Sequence, residues 1–382
     1  MSSRVFLTPY QAGKILDGVI PANQVVRPNW LQTWFPEKGM RYTETVNYDV
    51  EIARLHILAQ NVLPTVDAPK VANRGYGHTE LRFSYVKTGL ASPDFEEINM
   101  RQMGEQFGQV DILANELKLV NLRLAEVAEQ EENLIEYNAA QVIVYGKYEA
   151  VSERHPSVKY DFGRPIVTDP TEYAAGYVPS TDLTTLNFNG GVGKAAWDST
   201  GGTKPPTPYE DLQVMCQTVL RRSNIEAVVM SNDAWKLLEA DIKTNYRDAA
   251  TLTLDVMQRV QLRALPVTEK YQNLNLRRSL PLGNGQYVDI YTYSAIYHDR
   301  NTGAINYYYP QNGYVSILPS KDCGLIYYGR ILHPRAGYEP MRRYLNRWQD
   351  DKSGKVEWES EFNYLLAPCD PLSFVTWKVT SG

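Results

Sequence analysis

Cysteine is scarce in this chain of 382 residues: only Cys216, Cys323 and Cys369 occur. They are far apart and odd in number, which excludes a disulfide framework and a zinc-knuckle site. The spacing predicts buried free thiols in a protein made and used in a reducing compartment. Long apolar runs are missing as well. No stretch approaches the roughly 20 apolar residues of a membrane span. Met1-Ser2-Ser3-Arg4 leads into a mixed segment with no apolar signal core. An excess of basic charge is also absent, with 39 Lys and Arg against 44 Asp and Glu and a formal net charge of -5. A chain this slightly acidic is not built to grip polyanions over its whole surface, although local basic patches are allowed.

Catalytic patterns are equally sparse. The five histidines are His56, His78, His155, His298 and His333. No two stand at i and i+4, and none pairs with cysteine at ligand spacing. Asp161 near His155 and Asp299 after His298 are neighbours of a kind that chance supplies, with no nucleophile placed beside them. No Gly-x-Ser-x-Gly elbow occurs. Gly190-Gly191-Val192-Gly193-Lys194 has part of a phosphate-binding loop. The full motif needs glycine where Phe188 stands and Ser or Thr where Ala195 stands. A surface loop is the plainer reading. Carboxylates on a long helix could build a two-metal site only with Glu-x-x-His elements on other helices, and the sequence has none. The sequence therefore leads us to expect no catalytic, cofactor-binding or metal-ligating residues and no cofactor.

What remains describes an ordinary folded protein with 43% apolar and 22% charged residues, long enough for one or two cores. Tyrosine is abundant at 27 residues, beside 7 Trp. Many are grouped, as in Tyr291-Thr292-Tyr293, Tyr307-Tyr308-Tyr309 and Tyr327-Tyr328. An apolar face with a hydroxyl suits strands and interfaces. It suits a sheet-rich enzyme equally well.

Along the chain, residues 1 to about 45 are irregular, punctuated by Pro9, Pro21, Pro28 and Pro36. A short helix after Thr8-Pro9 is compatible with capping rules. Trp30, Trp34 and Phe35 need burial, in this chain's own core or as anchors against a neighbouring copy. Val46 to Ile52 and Glu80 to Val86 read as two strands around a turn-rich tip at Asp67 to Gly77, an extended hairpin with little core of its own. Leu113, Leu117, Val120, Leu124, Val127 and Glu131 mark one stripe of a long helix over about 115–145, ending at Gly146. We expect Leu117 to Val127 to pack on a sheet that includes Phe374 and Val379. Glu126, Glu129, Glu131 and Glu132 are expected on a wet or intersubunit face. Lys159 to Arg164 is a strand, and Asp169 to Pro208 a glycine-rich loop. Thr207-Pro208-Tyr209-Glu210 opens a helix as a capping box, with Leu212, Met215, Val219 and Leu220 inward. Ile225 to Met230 is a buried strand, and Asn232 caps the helix after it. A short helix at Leu252 to Val260 and strands at Val288 to Ile296, Tyr314 to Leu318 and Leu325 to Ile331 make 208–330 an α/β region. Leu365-Leu366 and Phe374 to Val379 read as a returning strand pair.

This order of parts resembles the tailed-phage capsid proteins, and more narrowly the lambda-type major capsid protein family. Arg74-Gly75 through Tyr85-Val86-Lys87 is similar to the returning limb of the family's extended loop. Val144-Tyr145-Gly146-Lys147-Tyr148, with Tyr160-Asp161-Phe162-Gly163-Arg164, resembles the end of its spine helix and the strand beyond. Ala227 to Leu238, Pro310 to Ile331 and Leu365-Leu366-Ala367-Pro368-Cys369-Asp370-Pro371 with Phe374-Val375 resemble later segments. No one motif is specific; number and order carry the likeness. It implies an α+β chain with the Hong Kong 97-like phage capsid fold. The parts would be an N-terminal arm (1–45), an extended loop (46–92), a peripheral domain (93–207 and 331–382, spine helix 115–145) and an axial domain (208–330). It further implies a shell subunit forming hexameric and pentameric capsomers around double-stranded DNA in a virion assembled in the host cytoplasm. Scaffolding, portal and decoration proteins would be separate chains, and no membrane is involved. Relative to lambda, extra length falls in the arm and in 169–208 and 339–358. An encapsulin-type compartment shell, another virion protein or a cytosolic α/β enzyme are the alternatives.

Overall fold

The computed structural model describes residues 29–51, 76–91, 112–150, 158–162, 197–198, 206–220, 224–245, 273–281, 287–299, 303–319, 323–349, 356–369 and 374–380. The expected helix after Thr8-Pro9, the hairpin tip before residue 76, the loop from 169 with Gly190 to Lys194, and the helix at Leu252 to Val260 lie outside the described residues.

A short 3-10 turn, Leu31–Trp34, leads into β1 (Glu37–Met40). Strands β2 (Thr45–Glu51) and β3 (Tyr76–Arg82) then pair antiparallel, from Thr45↔Arg82 to Glu51↔Tyr76, as a two-stranded ribbon. β4 (Ser84–Ala91) follows. The alternation over Glu80 to Val86 had suggested one strand. Phe83 instead separates two strands of different sheets, and the buried positions shift from Leu81 to Ser84 across it. Helix α1 (Ile112–Tyr145) has 34 residues and neither proline nor glycine. At 1.5 Å per residue it is about 51 Å long. Gly146 ends it as expected, with φ of 67° and its N–H donating to Val142 O at 2.9 Å. β5 (Lys147–Ala150) and β6 (Val158–Asp161) form a small hairpin after it.

Helix α2 (Pro208–Leu220) begins at the proline, as Thr207-Pro208 implied. One first-turn amide, Tyr209 N–H, donates to Asp241 Oδ2 at 2.9 Å, which ties α2 to α3 (Asn232–Asn245). Between them lies β7 (Ile225–Met230). The cap of α3 is Ser231 rather than Asn232, since Ser231 Oγ accepts from Ala234 N–H at 3.2 Å. The remaining strands are β8 (Leu274–Pro281), β9 (Tyr287–Tyr293), β10 (Ile296–His298), β11 (Ile305–Tyr307), β12 (Tyr314–Pro319), β13 (Gly324–Tyr328), β14 (Tyr344–Gln349), β15 (Val356–Pro368) and β16 (Val375–Lys378).

Two five-stranded sheets organise these parts. In the first, β15 is the hub. Its residues 357–364 pair with β4, while β14 and then β13 pair along the opposite edge. β1 adds to β13 in parallel. The second sheet has the order β16-β12-β7-β9-β8. Its β7 is buried on both faces, which explains the unbroken apolar run. Val228 and Met230 meet Leu212, Met215 and Leu238 of α2 and α3, while Ala227 and Val229 belong to the core shared with α1 and the arm. The two C-terminal strands do not pair with each other. β15 belongs to the first sheet and β16 to the second, paired with β12. Sheet membership thus does not change at residue 330: β13 joins β15, and β16 returns to β7's sheet.

The end of α1 docks between these sheets. Ile135, Ala139, Ala140 and Val142 to Val144 share a core with Phe362, Tyr364 to Leu366 and Phe374. Thr376 Oγ1 donates to Ile143 O at 3.0 Å and satisfies one of the helix's terminal carbonyls. The expected stripe lies earlier on the helix: Val120, Leu124 and Val127 are buried but belong to neither core with Phe374 or Val379, and the side-chain bonds to β15 and β16 are made at Glu131 and Ile143. The side chains of Leu113 and Leu117 lie outside the described residues.

Candidate assembly surfaces

The arm is anchored by a buried carboxylate. Glu136, on α1, accepts from three consecutive backbone amides of the 3-10 turn: Trp30 N–H at 3.1 Å, Leu31 N–H at 2.9 Å and Gln32 N–H at 2.8 Å. Tyr293 Oη donates to the same carboxylate at 2.7 Å. The first amides of a helical turn have no internal partner, so an acceptor placed there both satisfies them and fixes the turn. Burial pushes the Glu136 carboxyl up from 4.5 to about 7, with the four donors pulling the other way. Around this clamp Trp30 meets Trp34 edge-on at 4.9 Å and Tyr291 at 5.1 Å, and Trp34 Nε1 donates to Pro319 O at 2.9 Å. Phe35 stacks on Phe374 at 5.4 Å. A Cβ on Gly324 would run into that Phe35 ring, so close approach requires glycine here. Trp30, Trp34 and Phe35 are therefore buried in this chain's own core, which corrects their expected role as anchors between copies.

The mid-helix carboxylates divide. Glu126 and Glu129 are exposed as expected, but Glu131 and Glu132 are buried. Arg343 Nε donates to Glu131, and Ser360 Oγ to its other oxygen at 2.6 Å. Burial raises the Glu131 carboxyl and Arg343 opposes the rise. Glu132 holds Arg342 at 2.9 Å, and Arg342 also reaches Glu37 at 3.1 Å. These ion pairs bind α1 to the segment before β14 and to β1. Sequence reasoning missed the arginines and Glu136. The available signal was Glu131, a carboxylate falling on an apolar stripe, which implies a buried partner.

At the root of the β2–β3 ribbon, Leu81 is buried in the core and Val46 packs on it. β4 continues into the first sheet, where Glu361 accepts from Tyr85 Oη and from Lys87 Nζ at 2.9 Å. Tyr85 Oη in turn accepts from Leu332 N–H at 3.1 Å. Burial and the adjacent Glu361 carboxylate together raise the Tyr85 phenol well above its ordinary value. The ribbon thus grows from a fixed base. Apolar side chains lie open elsewhere. On one face of the β10–β11 hairpin Ile296 stands opposite Tyr307, and Ile305, 67% exposed, opposite His298. Met40, at the end of β1, and Tyr42 beyond it are exposed. Many other tyrosines are internal: Tyr297 bridges Tyr137 and Tyr308, and Tyr309 Oη shares a buried bond with Ser316 at 2.9 Å.

Chemistry-bearing clusters are few. Among the described residues no group of three or more His, Cys, Asp or Glu could hold a metal ion. Of the histidines, His333 caps a 3-10 turn through Nδ1, accepting from Arg335 N–H at 3.2 Å, and His298 lies on the open hairpin. His56 and His155 lie outside the described residues, as does the His78 side chain. The cysteines are not all buried. Cys216 is, whereas Cys323 is half-buried and Cys369 exposed.

A long helix whose end docks between two sheets, an arm clamped to it and a two-stranded ribbon make up the Hong Kong 97-like phage capsid fold. A crystal structure of a protein described as the capsid protein of a prophage in Escherichia coli CFT073 matches over 98% of this chain and 99% of its own, with a TM-score of 0.62 and 17% identity. A phage-related protein from Bordetella bronchiseptica RB50 matches over 99% and 98%, with 15% identity and a TM-score of 0.45. The capsid of cyanophage P-SCSP1u matches over 94% and 90%, with 8% identity and a TM-score of 0.45. No curated protein sequence matches. The family model of phage major capsid protein E matches residues 14–379, and the chain belongs to that family. It is a capsid shell protein.

Proposed function

We propose that this subunit builds an icosahedral shell of hexameric and pentameric capsomers around a double-stranded DNA genome, and acts by assembly rather than catalysis. One observation carries the reading. Among the described residues the β2–β3 ribbon pairs over seven residues on each strand and is two strands wide. A ribbon of that kind is marginal alone in water and needs a second surface. As the extended loop (46–92) it lies across an adjacent copy. The arm (1–45), the peripheral domain (93–207 and 331–382) and the axial domain (208–330) supply the remaining contacts, with β13 and β16 lacing the last two together. The slight net acidity suits an inner wall that holds packaged DNA weakly and without sequence preference. Assembly takes place in the host cytoplasm with separate scaffolding and portal proteins. An encapsulin-type compartment would share the fold but carry protein cargo. Nuclease treatment of purified particles separates the two: protected double-stranded DNA co-sedimenting with this chain supports the proposal, and particles holding only protein contradict it.

A further inference from the structure

We propose that Cys323 and Cys369 form a reversible cross-strand disulfide, a redox staple closing the end of the β13–β15 ladder. The ladder runs Gly324↔Pro368, Leu325↔Ala367 and onward, so the next pair outward in the same register is Cys323 and Cys369. Cys369 N–H donates to Cys323 O at 2.8 Å, which continues the pairing to this position. Cys323 closes a 3-10 turn and Cys369 stands in a bend, each one residue beyond its strand, and the bond between them holds their backbones opposed as a hydrogen-bonded pair, with Cα atoms about 5.5 Å apart. That spacing falls inside the roughly 4.4–6.8 Å range of disulfides. Both residues are thiols in this structure, and Cys369 is exposed, so a thiol-exchange reagent can reach the pair. Cys216 differs: it is fully buried in the other core, and burial pushes its thiol up to about 12.

The chemistry balances with a small-molecule disulfide of the glutathione class as oxidant. One cysteine thiolate attacks that disulfide and expels a small thiolate, leaving a mixed disulfide. The second cysteine thiolate attacks the protein-bound sulfur and expels the other small thiol. Two protein thiols lose two electrons and two protons, and one small disulfide becomes two thiols. A reducing cytoplasm would keep the pair open, and release into an oxidising medium would close it. Gly324, against which the Phe35 ring packs, is next to Cys323, so the staple fixes the strand end on which the arm is seated.

The test uses the full chain, as isolated subunits and as assembled particles, equilibrated in oxidised and in reduced glutathione. Free thiols are then blocked and the peptides mapped by mass spectrometry. The expected result is loss of two thiols per chain, a linked peptide joining Cys323 to Cys369, and a midpoint of unfolding raised in the oxidised sample and returned by dithiothreitol. Cys323→Ser and Cys369→Ser should each abolish the link and the shift, while Cys216→Ala should keep both. Thiols that stay reduced in oxidised glutathione, a stable glutathione adduct on Cys369, or a link between two different copies would each overturn the proposal.

Discussion

Glu136 gathers four donors from two distant parts of the chain, three amides of the arm and the phenol of Tyr293. Its carboxyl is raised from 4.5 to about 7 by burial. A carboxyl that binds its proton more tightly when folded contributes stability fully below about pH 4.5 and loses it as pH rises through about 7. At about 1.4 kcal/mol per pH unit, the descent amounts to about 3 kcal/mol. Glu136→Gln cannot ionise, so its unfolding free energy should lack this descent. Parallel pH curves for the two proteins would contradict the assignment. Glu131 is the second residue-scale test. Arg343→Ala leaves its carboxylate buried without its cation and should cost about 3–5 kcal/mol in denaturant unfolding of the isolated subunit. Adding Glu131→Gln to that variant should restore part of the loss. The role of Glu136 was not legible in the sequence, and that of Glu131 showed only as a carboxylate standing on an apolar stripe. Glutamates on a helix default to a wet face, and the arginine that reverses this stands 212 residues away.

At the scale of elements, local signals read well where they are local. Gly146 ended α1, Thr207-Pro208 opened α2, and the run Ile225 to Met230 was the central buried strand. Pairing across long separations did not read. The segment 339–358 contains β14 and the start of β15, which pair with each other, while the other edge of β15 takes β4 from far earlier in the chain. The break at Phe83 was hidden because alternation continues through it in sequence while the sheets change in space. Trp30, Trp34 and Phe35 had no periodicity to say which core would bury them. The β2–β3 ribbon yields the element-scale prediction. Its amides have ladder partners in the isolated subunit but, among the described residues, no third strand beside them, so hydrogen exchange there should be fast in subunits and slow in shells. Equal protection in both forms would mean that the ribbon does not cross a neighbour.

For the whole molecule, the architecture joins a rigid centre to projecting parts. The centre is two sheets and the C-terminal half of α1, which Glu136 fastens to the 3-10 turn of the arm, Glu131 to β15 and Thr376 to β16. Beside it stand the two-stranded β2–β3 ribbon and the β10–β11 hairpin, whose Ile296, Ile305 and Tyr307 are exposed. A shell subunit must meet several neighbours at once, and long elements on a fixed base supply overlapping contacts that a single closed ring would not need. Order of parts, more than any motif, made that class legible from sequence. The most direct measurement is an electron cryo-microscopy reconstruction of native particles containing this chain. The expected result is a closed icosahedral shell with this subunit at hexamer and pentamer positions alike, and density for β2–β3 lying over the adjacent copy. Particles in which the chain occupies only one vertex or a tail, or a shell in which β2–β3 folds back onto its own subunit, would contradict it.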